Sequence, residues 1–429
     1  CCLCCVSQSY RARSRKPVNH SIAYFSTAEN RSISKMNLAI INNNTLGRNG
    51  FLIFLLLFIS QISAQTYTPG NTYFDPANHV EYLAGNLPII LSAPHGGGEL
   101  PDSIPDRECD ECVFVRDGYT KEITQDIKDA LYAKTGCYPH VIVNLLHRRK
   151  FDANRDIGDA ADGNAQVEKA WYNYHKVTDS AKAKVTRDYG KGLYLDIHGH
   201  GHPLQRLEIG NGIWKSDLQK TDAHLNGTNA LEKSSIRNLA ADNIKNLSHA
   251  QLIRGDFSFG TLMDAGGYPS VPSSTDSFPL DTQYFFSGGY NTLRHGSRDA
   301  GTIDAIQVEC NSSWRFESDI ARKVFSDSIA EVIIDYIGIH YFTDFKEKYC
   351  NLSATIQNKS LRPKFTVSPN PAQNEINITT DLKVIAIAIY NTMGKELLNQ
   401  QWKDKPIDIR IVPNGLYFIV ISTSENQKY

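Results

Sequence analysis

The sequence predicts an α/β fold, with a mainly parallel or mixed sheet and flanking helices, followed by a small C-terminal β-sandwich. Four apolar, β-branched runs bounded by Gly, Pro or charge read as buried strands: 87–94 (LPIILSAP), 139–146 (PHVIVNLL), 192–197 (GLYLDI) and 303–309 (IDAIQVE). Helical periodicity stands between and after them, which implies layers built on a mainly parallel sheet. From about residue 355 the pattern changes to short alternating strands punctuated by Asn-Pro, Met-Gly and Asn-Gly turns, as in a β-sandwich.

In chain order, the apolar stretch FLIFLLLFI at 51–59 is too short to span a bilayer, and the polar SQISAQ after it carries a small residue at a cleavage point. It reads as a secretory signal over 36–64, starting at Met36, carrying Arg48 and cleaved near Ala64. Residues 1–35 are then upstream sequence outside the working protein. Removing residues 1–64 takes away seven Lys/Arg and one acidic residue, leaving 38 basic against 45 acidic side chains. An acidic balance argues against nucleic acid as a partner. No transmembrane span is expected after cleavage. Cys109 and Cys112 form a Cys-x-x-Cys with no second pair to complete a zinc ribbon, which favours a disulfide or free thiols. The five mature cysteines leave at least one unpaired.

Ile123, Ile127 and Leu131 recur every four residues through TKEITQDIKDALYAK, giving one apolar helix face. A second helix is expected around 164–183 and a long one around 316–342. The catalytic part is expected over 65–350 and the sandwich over 363–429.

Each predicted strand ends in a polar cluster, and open α/β sheets build their sites where the carboxyl ends of strands converge. His95 follows the first strand in Pro-His-Gly-Gly-Gly, whose glycines would let backbone approach a ligand. In LDIHGHGH, histidines 198, 200 and 202 alternate, which would put them on one side of an extended segment. His198 sits at the strand end, with Asp196 two residues earlier able to orient an imidazole. Catalytic zinc typically keeps three protein ligands and an open position, so a third is needed. Glu99 and Asp117 compete for that place, and Asp117 could equally serve as a helix N-cap.

The second strand runs into His147, Arg148, Arg149, Lys150, Asp152, Asn154, Arg155 and Asp156. Arg presents a planar fork suited to a carboxylate and Asn adds an amide donor, so a substrate carrying a carboxylate is implied. Glu309 ends the apolar run AIQV, where burial in a merely structural role would be costly. Beside a metal it becomes a general base toward water. Gln205, Arg206, Arg294 and His295 are weaker candidates for the pocket lining.

In this order SAPHGGG, RDGYTKEIT, LHRRKFDANRD, LDIHGHGHPLQRLEIG, FFSGGYNTLRHG and AIQVE resemble the N-formylglutamate amidohydrolase family over about residues 85–340. That family is similar in fold to zinc carboxypeptidases and poly-γ-glutamate hydrolases. The resemblance implies a carboxypeptidase-like fold, one zinc ion, His95 and His198 as metal histidines and Glu309 as the catalytic carboxylate. It also implies Arg148 or Arg149 as the arginine that polarises the scissile carbonyl. The Asp-x-Asn-Arg element, Asp152 to Arg155, is implied to bind the substrate carboxylate. The His-x-x-Glu ligand pair of carboxypeptidases is absent, because Gly98 stands where its Glu would be. In the related hydrolases the acidic ligand lies just before a Thr-x-Glu helix start, and Asp117 with Thr120 and Glu122 matches that spacing, which favours Asp117 over Glu99.

At the C-terminus SPNPAQNEINI, IYNTMGKELL and PNGLYFIVI resemble the sorting domain of proteins exported by the type IX secretion system of Bacteroidetes. That implies secretion machinery as a partner and a secreted or surface location, with the domain shortened at NQKY. The expected activity is hydrolysis of an amide next to a carboxylate, in an acyl-amino-acid or γ-glutamyl substrate. A zinc exopeptidase acting on peptide C-termini, or a non-catalytic surface binding protein on the same fold, are the alternatives.

Overall fold

The computed structural model describes residues 67–343, 345 and 365–423, apart from 110, 111, 370, 381, 382, 392–394 and 416. The expected upstream segment and signal peptide lie outside the described residues. No helix among the described residues is long and apolar enough to cross a membrane.

An eight-stranded mixed sheet organises residues 72–311, with strands β1 (Thr72–Phe74), β2 (Val80–Leu83), β3 (Ile89–Ala93), β4 (His140–Asn144), β5 (Gly192–His200), β6 (Leu207–Gly210), β7 (Ser270–Val271) and β8 (Ile303–Asn311). Their order across the sheet is β1-β2-β4-β3-β5-β8-β6-β7. The strands read from sequence are the central β4-β3-β5-β8 block, and all three of its pairings are parallel. Burial on both faces makes such strands near-continuous apolar runs, which is why they were legible. The antiparallel margins, β1, β2 and β6, are short and lack that signature.

Helices cover both faces. Helix α1 (Thr120–Thr135) and the long α5 (Asp319–His340) pack on one face through Ile123, Ile127, Ile329 and Ile333 against Leu91, Leu195 and Val308. Helix α2 (Ala165–Tyr189) covers the other through Val167, Tyr174 and Ala181 against Ile90, Ile142 and Tyr194. The expected helix at 316–342 is divided, because Ser318 is extended and caps α5 through its hydroxyl, which accepts from the Ala321 amide. A short α4 (Ser312–Glu317) precedes it. Between β7 and β8 lies another short helix, α3 (Tyr290–His295).

Residues 365–423 form two three-stranded antiparallel sheets, in the orders β13-β10-β9 and β12-β11-β14. The strands are β9 (Phe365–Ser368), β10 (Glu375–Thr380), β11 (Val384–Asn391), β12 (Glu396–Gln401), β13 (Ile407–Asp408) and β14 (Tyr417–Thr423). One small core joins both sheets through Ile376, Ile378, Ile387, Ile389, Ile407 and Ile421. Cys109 and Cys112 are disulfide-bonded, and Cys137 and Cys310 are free and buried.

Candidate metal centre

Strand alternation places the site. In β5, Tyr194, Asp196, His198 and His200 share one face, and in β8 Ala305, Gln307, Glu309 and Asn311 share the same one. Tyr194 and Ala305 belong to the core under α2. Further along, the same face carries the polar side chains. Register puts His198 opposite Glu309.

His95, Asp117 and His198 meet here, their ligand atoms all within 4.8 Å of one another, and all three are buried. A single Asp117 oxygen, Oδ2, lies 3.3 Å from His95 Nδ1 and 3.2 Å from His198 Nδ1. The opposite ring nitrogens are held by other carboxylates: His95 Nε2 lies 2.6 Å from Asp152 and His198 Nε2 lies 2.9 Å from Asp196. Carboxylates that fix the far side of metal-ligating imidazoles are the usual outer shell of a zinc site. Two imidazoles aimed at one carboxylate, each steered from behind, fit a divalent cation. Asp117 does not cap α1: the N-cap is Tyr119, without a side-chain hydrogen bond, and only the Asp117 backbone carbonyl accepts from Thr120. Glu99 stands apart, exposed, with its backbone bonded to Leu145 and His147.

Burial opposes ionisation of Asp117, but His95 and His198 outweigh it and hold the carboxyl well below the usual range. Asp152 is likewise held low against its burial, by His95 and Arg148. Burial acts against a charged His198, yet Asp196 and Asp117 push its pKa well above the ordinary value. For Glu309 burial dominates and pushes the carboxyl up to about 8. Its Oε1 accepts from Gln307 Nε2 at 2.8 Å, while its buried Oε2 has no hydrogen-bond partner among the described residues. A buried carboxylate oxygen left open beside a metal-type cluster is a group equipped to handle a proton.

Arg148 reaches this cluster: its Nε donates to Asp152 at 2.9 Å and its Nη1 lies 3.7 Å from Asp117. Arg149 does not, being half exposed and paired with Asp106. Asn154 is buried, with Nδ2 3.4 Å from His198 and Oδ1 accepting the Asn291 amide. Arg155 is half-buried and donates to the Asn154 carbonyl. Arg206 and Arg294 are engaged elsewhere, Arg206 with Asp276 and Gln283, and Arg294 with Asp179 and over the Trp171 ring. His295 is buried against His175.

The glycines after His95 serve packing rather than a ligand. A Cβ on Gly96 would lie 2.5 Å from the Lys121 amide, and one on Gly97 would lie 2.4 Å from the Leu145 carbonyl. They bring the loop down onto α1 and the end of β4, which carries His95 to Asp117.

Sequence reasoning missed Arg315. Its buried guanidinium donates to the carbonyls of Cys310, Gly118 and His200 at 3.0, 2.5 and 3.1 Å, tying together the segments that carry Glu309, Asp117 and His198. Gly199 makes room, since a Cβ there would lie 2.3 Å from the Arg315 guanidinium. A glycine within a strand marks such a close approach, so Gly199 was the available signal.

Residues 366–429 match the family model for the secretion system C-terminal sorting domain, which indicates type IX secretion to the cell surface or beyond. No curated protein matches the chain. Among solved structures it is similar to N-formylglutamate amidohydrolase from Ralstonia eutropha, at 10% identity and TM-score 0.37, covering 60% of this chain and 95% of that one. It is also similar to a succinylglutamate desuccinylase from Chromobacterium violaceum, at 12% identity and TM-score 0.29, covering 63% and 73%. A third is an N-acetylmuramyl-L-alanine amidase from Mycobacterium smegmatis, at 16% identity and TM-score 0.26, covering 58% and 96%.

Proposed function

We propose that residues 65–350 are the catalytic domain of a secreted zinc-dependent hydrolase that cleaves an amide bond next to a carboxylate, of the acyl-amino-acid or γ-glutamyl kind. Residues 36–64 are its export signal and 363–429 its sorting domain. The observation that supports the reading most is the meeting of His95, Asp117 and His198 beside the open oxygen of Glu309.

His95, Asp117 and His198 hold one zinc ion, which supplies Lewis acidity that polarises the scissile carbonyl and eases deprotonation of water. Glu309 Oε2 accepts the proton of the attacking water and delivers it to the departing nitrogen. Arg148, held by Asp152, offers positive charge to the developing oxyanion. Asn154 and Arg155 anchor the substrate carboxylate. Asp152 and Asp196 orient the two imidazoles.

The test is Glu309→Gln in the zinc-loaded protein, assayed on a panel of acyl-glutamates and peptides. Loss of general-base catalysis lowers kcat/KM by about 10²–10⁴-fold, with zinc content unchanged. Equal activity in both versions, or a purified protein that does not take up zinc, overturns the reading.

A further inference from the structure

Beyond the metal cluster the same sheet face carries a second constellation. His200 lies opposite Asn311 in the β5–β8 register, one step past His198 and Glu309, and Glu208 of β6 lies opposite Glu309. Two residues along each strand amount to roughly 7 Å at the strand rise. There His202 and Asn311, with Gln205, Ser312, Phe316 and Glu317, line a cavity of about 500 Å³.

His200, His202 and Glu208 gather closely enough for a metal ion, but their hydrogen bonds assign them other roles. His200 is held at both ring nitrogens by backbone: the His202 amide donates to Nδ1, and Nε2 lies 2.9 Å from the Arg206 carbonyl. No lone pair of that ring is left for a metal. Glu208 is buried, with Oε1 2.7 Å from His202 Nδ1 and Oε2 accepting the Phe286 amide at 2.7 Å. His202 is therefore pinned through Nδ1 and stacked with Tyr284 and Phe286 at 5.1 and 4.8 Å, which leaves Nε2 for a ligand. Asn311 fixes the wall, since its Nδ2 donates to the carbonyls of His202 and Leu204.

The chemistry of this cavity is selective. No lining residue is Lys or Arg, and Glu317 adds negative charge. Among the lining residues Phe316 is 57% exposed, and Tyr284 and Phe286, which stack on the lining His202, are 55% and 45% exposed. A formyl group is close in size to a water molecule, about 30 Å³, and would leave the cavity to solvent. The proposed anchor residue Asn154 approaches His198 to 3.4 Å, and the cavity begins two residues further along β5 and β8, so both adjoin the metal cluster.

Resting on the amide-hydrolase reading, we propose that this cavity is the acyl subsite, and that it takes a neutral, planar acyl group of peptide-like size that stacks on its aromatic rim and bonds to His202 Nε2. Formyl and anionic acyl groups are poor occupants. His202 touches the substrate, and Glu208 is its positioning residue.

The experiment compares N-formyl-, N-succinyl- and benzoylglycyl-glutamate, which share the carboxylate-bearing half, with the zinc-loaded protein. The benzoylglycyl amide is expected to show at least tenfold higher kcat/KM than either of the others. His202→Ala and Phe316→Ala, each with zinc content and formyl-glutamate turnover measured alongside, should each reduce the benzoylglycyl-to-formyl ratio at least tenfold, mainly through KM. A preference for formyl or succinyl, or a ratio unchanged in both variants, overturns the subsite. If the wild type hydrolyses none of the three, the acyl-amino-acid form of the hydrolase reading fails. Calorimetric affinities of the same amides then decide the subsite, which stands only if benzoylglycyl-glutamate binds tightest and Phe316→Ala abolishes that advantage.

Discussion

At the residue scale the site depends on carboxylates that act through imidazoles. Asp152 is buried, accepts the Arg148 Nε–H and lies 2.6 Å from His95. Asp152→Asn keeps the shape but removes the charge that fixes the His95 ring, so zinc affinity should fall about 10–100-fold. Competition calorimetry against a chelator measures this, and an unchanged affinity would show that the ring is held by packing alone. His95, His198 and Glu309 drew notice together, because several strand ends carried such side chains at once and a single strand-end His means little, and the fold brings the three close. The choice between Arg148 and Arg149 was not legible, because adjacent residues in an irregular loop carry no periodicity. The fold turns Arg148 toward Asp117 and Asp152 and Arg149 toward Asp106.

At the element scale, Arg315 fastens β5, β8 and the loop before α1 into one frame. The three hydrogen bonds it donates are buried, and removing the guanidinium leaves the accepting carbonyls without them at about 1–3 kcal/mol each. Arg315→Met should therefore lower the unfolding free energy by about 3 kcal/mol or more in urea titrations, and weaken zinc binding through displacement of Asp117. Wild-type stability in this variant would remove Arg315 from the frame. The central parallel strands and the long helices were readable from burial periodicity. The marginal β1, β2, β6 and β7 were not, since two to four residues are too few to show a period. Glu208, which rides on β6, was missed with its strand.

At the scale of the whole molecule, buried histidines couple stability to pH. Burial is the main cause that pushes His140 down to about 3, His175 to about 2, and His295 and His340 to about 4. Each is depressed below the unfolded value near 6.5, so the unfolded chain binds more protons once pH falls below that value. Their contribution is complete above about pH 6.5 and is lost as pH drops toward 4 and below. Asp304 and Glu309 oppose them: burial pushes the two carboxyls up to about 6 and about 8, so their terms favour the folded state as pH falls through those values toward 4. The balance predicts a net loss of stability from pH 6.5 to 4.5, at up to about 1.4 kcal/mol per pH unit for each proton taken up on unfolding. Urea unfolding at a series of pH values checks this, and a flat profile across that window would contradict it.

The sequence by itself determined the layered α/β class, the central strands and the small C-terminal β region, and pointed to the residue types of the candidate metal cluster. Apolar periodicity reports burial directly, and a charged side chain at the end of a buried strand has to be explained chemically. Tertiary structure decided which side chains meet. Asp117 reaches His95 only because glycines 96 and 97 press their loop onto α1 and β4, and it reaches His198 because Arg315 ties β5 to the same loop. Such meetings depend on contacts between segments up to about 200 residues apart, and no local pattern encodes a distance across the fold.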